Sequence, residues 1–251
     1  MRKAYIFLSL LLLAGCSKDI DFEAMERNTD EEIFSQGKSE LEKKNYKDAA
    51  KIFEELEKLY PYSKLTADAE LLAGDCHYKS GKFDEAISSY EIFVKTHPTN
   101  DKVPYAIYML GLINYQQIAI IERDQESTAT ALLYFEELCS RYPNSRFVKD
   151  SQEKIKILRD QQAAREVYVA RYNMKQMNYA GAISRLNTVI ELYPDTIHVP
   201  EAMLRLVECY VALGIEREAK AVNKVLQQQH KNTKWAEYAR NLINNGKIQK
   251  R

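Results

Sequence analysis

Histidine and cysteine are the side chains of this sequence that most often bind metals or act as nucleophiles, and their spacing favours neither role. The four histidines lie far apart and form no HExxH pattern, and no glycine-rich phosphate loop or GxSxG motif is present. Three cysteines, Cys76, Cys139 and Cys209, lie in apolar helical contexts without metal-ligand spacing. Since an odd number cannot pair completely, we expect them to be small buried residues. The sequence predicts neither an enzyme nor a bound metal ion.

The fourth cysteine, Cys16, ends a leader of the secretory type. Arg2 and Lys3 give it a positive start, and its apolar run is too short to cross a bilayer, which needs about 20 apolar residues. The run ends in Leu13-Ala14-Gly15-Cys16, which resembles the lipobox of bacterial lipoproteins. The resemblance implies cleavage after Gly15 and acylation of Cys16, so a covalent lipid is the only cofactor-like group expected. The alternative is an ordinary signal peptide with an incidental cysteine.

The charge balance argues against a nucleic-acid partner. Lys and Arg together number 36, as do Asp and Glu. Removal of residues 1–15 takes away Arg2 and Lys3 and leaves a net charge of −2. Binding to a phosphate backbone usually needs a strong positive excess. Few glycines and prolines, together with many helix formers, indicate a helical chain.

A repeat organises the rest of the chain. Its frame is an alanine, an aromatic residue or leucine four positions later, and a proline twelve positions later; it begins at Ala49, Ala86, Ala131 and Ala182. A small residue precedes three of these alanines by twelve positions: Gly37, Gly74 and Ala170. Before Ala131 the spacing to Gly111 is twenty, which indicates an insertion of eight residues. A fifth unit at Ala219 lacks the proline.

The frame predicts paired helices. A small residue in the first helix faces a small residue in the second, an aromatic side chain fills the space beside them, and proline limits the pair. These features resemble the tetratricopeptide repeat, whose period is about 34 residues; unrelated helical hairpins are the alternative. The predicted fold is all-α, a superhelical array of five such pairs with a C-terminal capping helix. The predicted segments are a signal peptide at 1–15, a lipidated tether at 16–29, repeats at 30–62, 66–98 and 104–143 with an insertion at 116–128, a linker helix and fourth repeat at 144–194, and a fifth repeat with the capping helix at 199–246.

Several short motifs narrow the resemblance. They are Pro61-Tyr62-Ser63, Arg123-Asp124-Gln125 in the insertion, Tyr168-Val169-Ala170-Arg171-Tyr172 and Tyr193-Pro194-Asp195-Thr196. Together with the lipobox they resemble the BamD family, lipoprotein subunits of the outer-membrane β-barrel assembly machinery. Asn173 and Leu110 depart from the residues that are common in that family at those positions.

The resemblance implies a scaffold that helps β-barrel proteins to fold and insert. Expected partners are unfolded outer-membrane proteins, the periplasmic domains of the central barrel subunit, and other assembly lipoproteins. Arg185 matches a family residue at the docking surface, and Arg123 and Asp124 are further candidates for partner binding; a solvated charge is the alternative for Arg185. Ser17 rather than Asp after the lipidated cysteine favours the periplasmic face of the outer membrane.

Two other functions remain open. One is a different periplasmic tetratricopeptide scaffold, for example for envelope division or cell-wall synthesis. The other is a lipid-anchored hydrolase, which would need a cleft with converging titratable groups.

The first helices of such pairs line a concave groove, which predicts a set of peptide-binding side chains. Tyrosine suits this task because it offers a large contact area with a polar tip. The alternative is that most of these side chains pack between repeats. The candidates are Phe34, Leu71, Tyr78, Tyr105, Tyr108, Leu112 and Tyr115.

Overall fold

The computed structural model describes residues 22–118 and 125–245, and all regular structure in these ranges is α-helical. The chain divides into two compact units, Met1–Ser89 and Tyr90–Arg251. The helices are α1 (Phe22–Met25), α2 (Asp30–Glu42), α3 (Tyr46–Leu59), α4 (Thr66–Lys79), α5 (Phe83–Thr96), α6 (Val103–Gln116), α7 (Gln125–Arg141), α8 (Val148–Lys175), α9 (Tyr179–Leu192), α10 (Val199–Ala212), α11 (Glu216–Gln229) and α12 (Lys234–Asn245).

The first helix pair, α2 and α3, begins at a capping box. The Thr29 hydroxyl accepts a hydrogen bond from the Glu32 backbone N–H, and the Glu32 carboxylate accepts one from the Thr29 N–H. These two bonds satisfy N–H groups that a helix start leaves unpaired. The apolar face of α3 then buries Ile52, Phe53 and Leu56 against α2 and α4.

Two glycines let the helices of a pair approach closely. A methyl group added at Gly37 of α2 would lie 2.6 Å from the Phe53 ring of α3, and one at Gly111 of α6 would lie 2.7 Å from the Phe135 ring of α7. The atoms nearest to each glycine are therefore those of the aromatic ring. The predicted close approach of the two helices is present at these glycines, and the side chain that lies directly over each glycine is a phenylalanine ring.

Residues 16–29 are not wholly a tether, which corrects the prediction for this segment. Phe22–Met25 form a helical turn, and Met25 is buried in the core of the first unit. The Tyr60 hydroxyl donates a hydrogen bond of 2.6 Å to the Asn28 carbonyl. A single buried side chain and one backbone contact leave no periodic pattern, so this docking could not be predicted from the sequence. Residues 1–21 lie outside the described ranges.

The insertion lengthens one helix of the third pair. Helix α7 has 17 residues, whereas α3, α5, α9 and α11 have 14 each. Helix α6 ends at Gln116 and α7 begins at Gln125, so the predicted insertion at 116–128 contributes the first turn of α7. The structure does not describe residues 119–124.

Helix α8, with 28 residues, is twice as long as most of its neighbours. Leu158 in its first half joins Ala131 and Phe135 of α7 in one cluster. Ala163 and Val167 in its second half join the C-terminal core with α9 and α10. One continuous helix therefore fills the position of the predicted linker helix and of the first helix of the fourth repeat.

Helix α12 closes the second unit. Ala236, Ala239 and Leu242 pack into the same core as Leu206 and Leu226. Its other residues are mostly polar, as expected for a helix that covers the last apolar face of a repeat array.

Candidate protein-binding surfaces

In the first unit, the candidate groove residues make contacts within the chain. The Phe34 ring lies 5.7 Å from the Phe53 ring, and the Tyr78 ring lies 6.0 Å from the Phe83 ring. Both Phe34 and Tyr78 are half-buried and keep some surface for a ligand. Leu71 is only 6% exposed, which corrects its assignment to an open groove, because so buried a side chain offers a peptide almost no surface.

In the second unit, three candidate tyrosines join one aromatic cluster. The Tyr108 ring stacks on Phe147 with centroids 4.7 Å apart, and Tyr105 lies 5.7 Å from Phe147. Tyr115 meets the Phe135 ring at 6.4 Å, nearly edge to face. Such aromatic contacts stabilise the packing of α6 against α7 and the start of α8. All three tyrosines, and Leu112, are half-buried, so their role as peptide ligands stays a prediction.

The Asp150 carboxylate contacts this aromatic cluster through a hydrogen bond and also forms an ion pair. The Tyr108 hydroxyl donates a hydrogen bond of 2.8 Å to Asp150 Oδ2, and Lys154 Nζ lies 2.7 Å from the same oxygen. Partial burial of Asp150 opposes its ionisation, but the hydrogen bonds from Lys154 and Tyr108 outweigh it and lower the pKa of the carboxyl. The Lys154 ammonium also lies 5.6 Å from the centre of the Tyr115 ring. Asp150 and Lys154 lie about 40 residues from Tyr108 and Tyr115 along the chain, so this arrangement could not be predicted from the sequence.

Arg185 lies on α9 and forms an ion pair across to α8. Its guanidinium is 3.3 Å from Glu166 Oε2, and its side chain is 52% exposed. Tyr168 and Tyr172, in the motif that follows Glu166, lie one turn apart and are each 60% exposed. Arg185 is therefore an accessible charge with a local partner. Whether it docks a partner protein stays a prediction.

Several candidate residues lie outside the described ranges. They include the lipidation site Cys16 and the insertion residues Arg123 and Asp124.

The remaining cysteines are protonated packing residues. Cys76 and Cys209 are buried, as predicted, whereas Cys139 is half-buried. Burial raises the pKa of the Cys76 and Cys209 thiols to about 12. Thiols with such a pKa are poor nucleophiles at neutral pH. In the described part of the chain, no group of three or more potential ligands could hold a metal ion, and no helix there is long and apolar enough to cross a membrane.

Arg159 of α8 connects three elements. Its guanidinium donates a hydrogen bond of 2.9 Å to the Leu192 carbonyl at the end of α9. It also lies 3.2 Å from Asp195 in the turn before α10 and 3.6 Å from Glu136 of α7. These contacts could not be predicted from the sequence, because the partners of Arg159 are 23 to 36 residues away along the chain.

The helix pairs, the glycine–phenylalanine contacts and the covered C-terminal core define a class of protein. They are the features of a tetratricopeptide-repeat protein, whose stacked pairs present continuous surfaces to other polypeptides. The predicted all-α fold of tetratricopeptide-like pairs is confirmed.

Comparison with known proteins identifies the family. Residues 26–226 match the YfiO family of outer membrane lipoproteins, and the chain belongs to this family. A relative in Rickettsia prowazekii is 33% identical over 235 residues, which are 94% of this chain and 93% of the relative. One in Caulobacter vibrioides is 32% identical over 234 residues, or 92% and 77% of the two chains. One in Neisseria meningitidis serogroup A is 29% identical over 242 residues, or 90% and 91%. Each is named outer membrane protein assembly factor BamD, so the predicted resemblance is confirmed.

Proposed function

We propose that this chain is an assembly factor for outer-membrane proteins and acts as a scaffold without enzymatic activity. The observation that carries the proposal is its similarity to assembly factors over nearly their whole length, 93% for the Rickettsia prowazekii relative. A repeat fold fits this role because stacked helix pairs offer long surfaces to several polypeptides at once. The protonated thiols of Cys76 and Cys209 also fit a protein that performs no thiol chemistry.

The proposal includes a lipid anchor and an orientation. Acyl chains on Cys16 would hold the chain on the periplasmic face of the outer membrane, because several chains together anchor a protein stably. Mass spectrometry of the mature N-terminal peptide tests the anchor. We expect an acylated Cys16, and an unmodified thiol there would contradict it.

Its partners are the central barrel subunit, other assembly lipoproteins and unfolded outer-membrane proteins. Arg185 suits the docking of the central subunit because its side chain is about half exposed, so its ion pair with Glu166 is weak. A partner carboxylate can replace or share that pair in a bidentate contact. Arg123 and Asp124 would extend the contact from the insertion. The half-buried aromatic residues of α2, α4 and α6 would contact the incoming chains.

The function is tested by conditional depletion of the protein from its own cells. We expect folded barrel proteins in the outer membrane to fall, as measured by the heat-dependent shift of their mobility in gels. Re-expression of the wild-type chain should restore them. Unchanged folded barrels after complete depletion would contradict the proposal and favour a scaffold for another envelope complex.

The docking surface is tested by Arg185→Glu. We expect this charge reversal to reduce co-purification of the central barrel subunit, because like charges then meet at the interface. Arg217→Glu is the matched control, since Arg217 is exposed on α11 and makes the same change of net charge. Equal recovery of the barrel subunit with both variants would show that Arg185 is not part of the interface.

A further inference from the structure

A surface cleft of about 630 Å³ lies in the second unit, between the turn before α6 and the turn that joins α7 to α8. Its walls are the segments 101–105 and 141–147. Lys102, Arg141 and Arg146 line it together with one carboxylate, that of Asp101. Of the candidate groove residues, only Tyr105 reaches it. The cleft is therefore cationic and partly aromatic, and it is separate from the Arg185 surface.

Arg146 is the distinctive residue of this cleft. Its guanidinium lies 4.7 Å from the centre of the Phe147 ring, and Phe147 in turn stacks on Tyr108. The side chain is exposed, and within residues 22–118 and 125–245 no carboxylate pairs with it. Arg141, by contrast, pairs with Glu137 and lies over Tyr142. Arg146 is thus a cation held on an aromatic support, without a carboxylate partner among the described residues.

The chemistry of these side chains specifies a ligand. A guanidinium presents a planar fork of donors that matches a carboxylate, and stacking on an aromatic ring reduces the entropy lost when it binds. Tyr105 and Phe147 offer aromatic surface beside that fork, at a ring separation of 5.7 Å. Arginine and aromatic residues are also the side chains that dominate protein–protein interfaces.

We infer that this cleft binds an acidic segment of a partner polypeptide. An Asp or Glu side chain of the partner pairs with Arg146, and an adjacent aromatic or aliphatic side chain packs against Tyr105 and Phe147. Lys102 adds to the positive field that attracts the segment, whereas the charge of Arg141 is largely balanced by Glu137. The inference rests on the proposed function only in taking the occupant to be a polypeptide.

The test uses the lipidated full-length chain in detergent and a fluorescent peptide that contains Asp-Phe-Asp, with both of its ends capped. The matched peptide contains Asn-Phe-Asn. We expect the acidic peptide to bind about tenfold more tightly, as one charge-assisted hydrogen-bonded pair provides. Arg146→Ala should remove that difference, whereas Lys149→Ala should keep it, because Lys149 is exposed on α8 outside the cleft lining. Circular dichroism checks that both variants keep their helices.

Three results would overturn the inference. The first is equal binding of the two peptides by the wild-type chain, and the second is unchanged binding of the acidic peptide by Arg146→Ala. The third is that Arg146→Ala loses binding to phosphatidylglycerol vesicles but keeps its binding to the acidic peptide. The last result would make the cleft a lipid site. Co-purification with the central barrel subunit separates this inference from the proposed function. If the central barrel subunit co-purifies with the chain but the two peptides bind equally, the proposed function stands and the inference about the cleft is refuted.

Discussion

Gly37 and Gly111 show how single residues set the spacing of the helix pairs. Each lies beneath a phenylalanine ring that is fully buried, in two pairs that are far apart in the sequence. A glycine inside a helix is unfavourable by about 1 kcal/mol relative to alanine, because it loses more conformational freedom on folding. The close approach of the ring explains why the chain nevertheless has glycine at both positions.

Alanine at either glycine should therefore destabilise the fold. An added methyl group would overlap with the ring of Phe53 or Phe135, at a cost of about 1–3 kcal/mol for overpacking, partly offset by about 1 kcal/mol of helix propensity. Denaturant unfolding should show a lower free energy of unfolding for Gly37→Ala, and no comparable change for Gln36→Ala, which is exposed on the same helix. Adding Phe53→Leu should recover part of the loss. Strictly additive effects of the two changes would contradict direct contact.

The hydrogen bond from Tyr108 to Asp150 makes a second testable contact. Tyr108→Phe removes one of the hydrogen bonds that lower the pKa of this carboxyl, so the pKa should rise. The folded-state pKa lies below the ordinary value of 3.8. The stability that Asp150 contributes is thus present above about pH 4 and is lost as the pH falls through the folded-state pKa. Carboxyl carbon shifts in an NMR pH titration measure the change. Tyr115→Phe is the control, and an equal shift in both variants would be inconsistent with the hydrogen bond.

Arg159 joins separate helices, because it fixes the turn between α9 and α10 to α8. The carboxylates of Asp195 and Glu136 are more than half exposed, so their attraction to Arg159 contributes little. The hydrogen bond to the Leu192 carbonyl at the end of α9 is charge-assisted and contributes more. Beside the packing of α8 against α9 and α10 and the Arg185–Glu166 pair, this guanidinium thus ties the end of α9 to α8.

Replacing Arg159 by alanine should destabilise the second unit by about 1.5–3 kcal/mol, the usual range for a hydrogen bond to a charged group. Arg159→Lys should recover only part of the loss, because an ammonium lacks the fork that reaches three partners. Lys156→Ala is the control on the exposed face of α8. Thermal unfolding distinguishes these variants. Equal midpoint temperatures for Arg159→Ala and Lys156→Ala would show that the contacts of Arg159 contribute nothing to stability.

For the whole molecule, the sequence predicted what depends on local spacing. The helix pairs could be predicted because Gly37 precedes Ala49 by twelve residues and Phe53 follows Ala49 by about one helical turn. This spacing determines which faces of the two helices meet. The contacts of Arg159 and the cleft that Arg146 lines could not be predicted. The residues that form them come together only through the packing of several helices. The candidate tyrosines illustrate the same limit. A residue on the first helix of a pair looks alike in sequence whether it faces a ligand or, like Tyr108, stacks on Phe147.

Affinity purification of the tagged chain from detergent-solubilised outer membranes tests the central claim, that a lipid-anchored repeat scaffold serves barrel assembly. Mass spectrometry should identify a large β-barrel subunit with periplasmic repeats, recovered in an amount similar to that of the chain, and a mature N-terminus that is acylated at Cys16. Recovery of cell-wall or division proteins without any such barrel subunit would contradict the account.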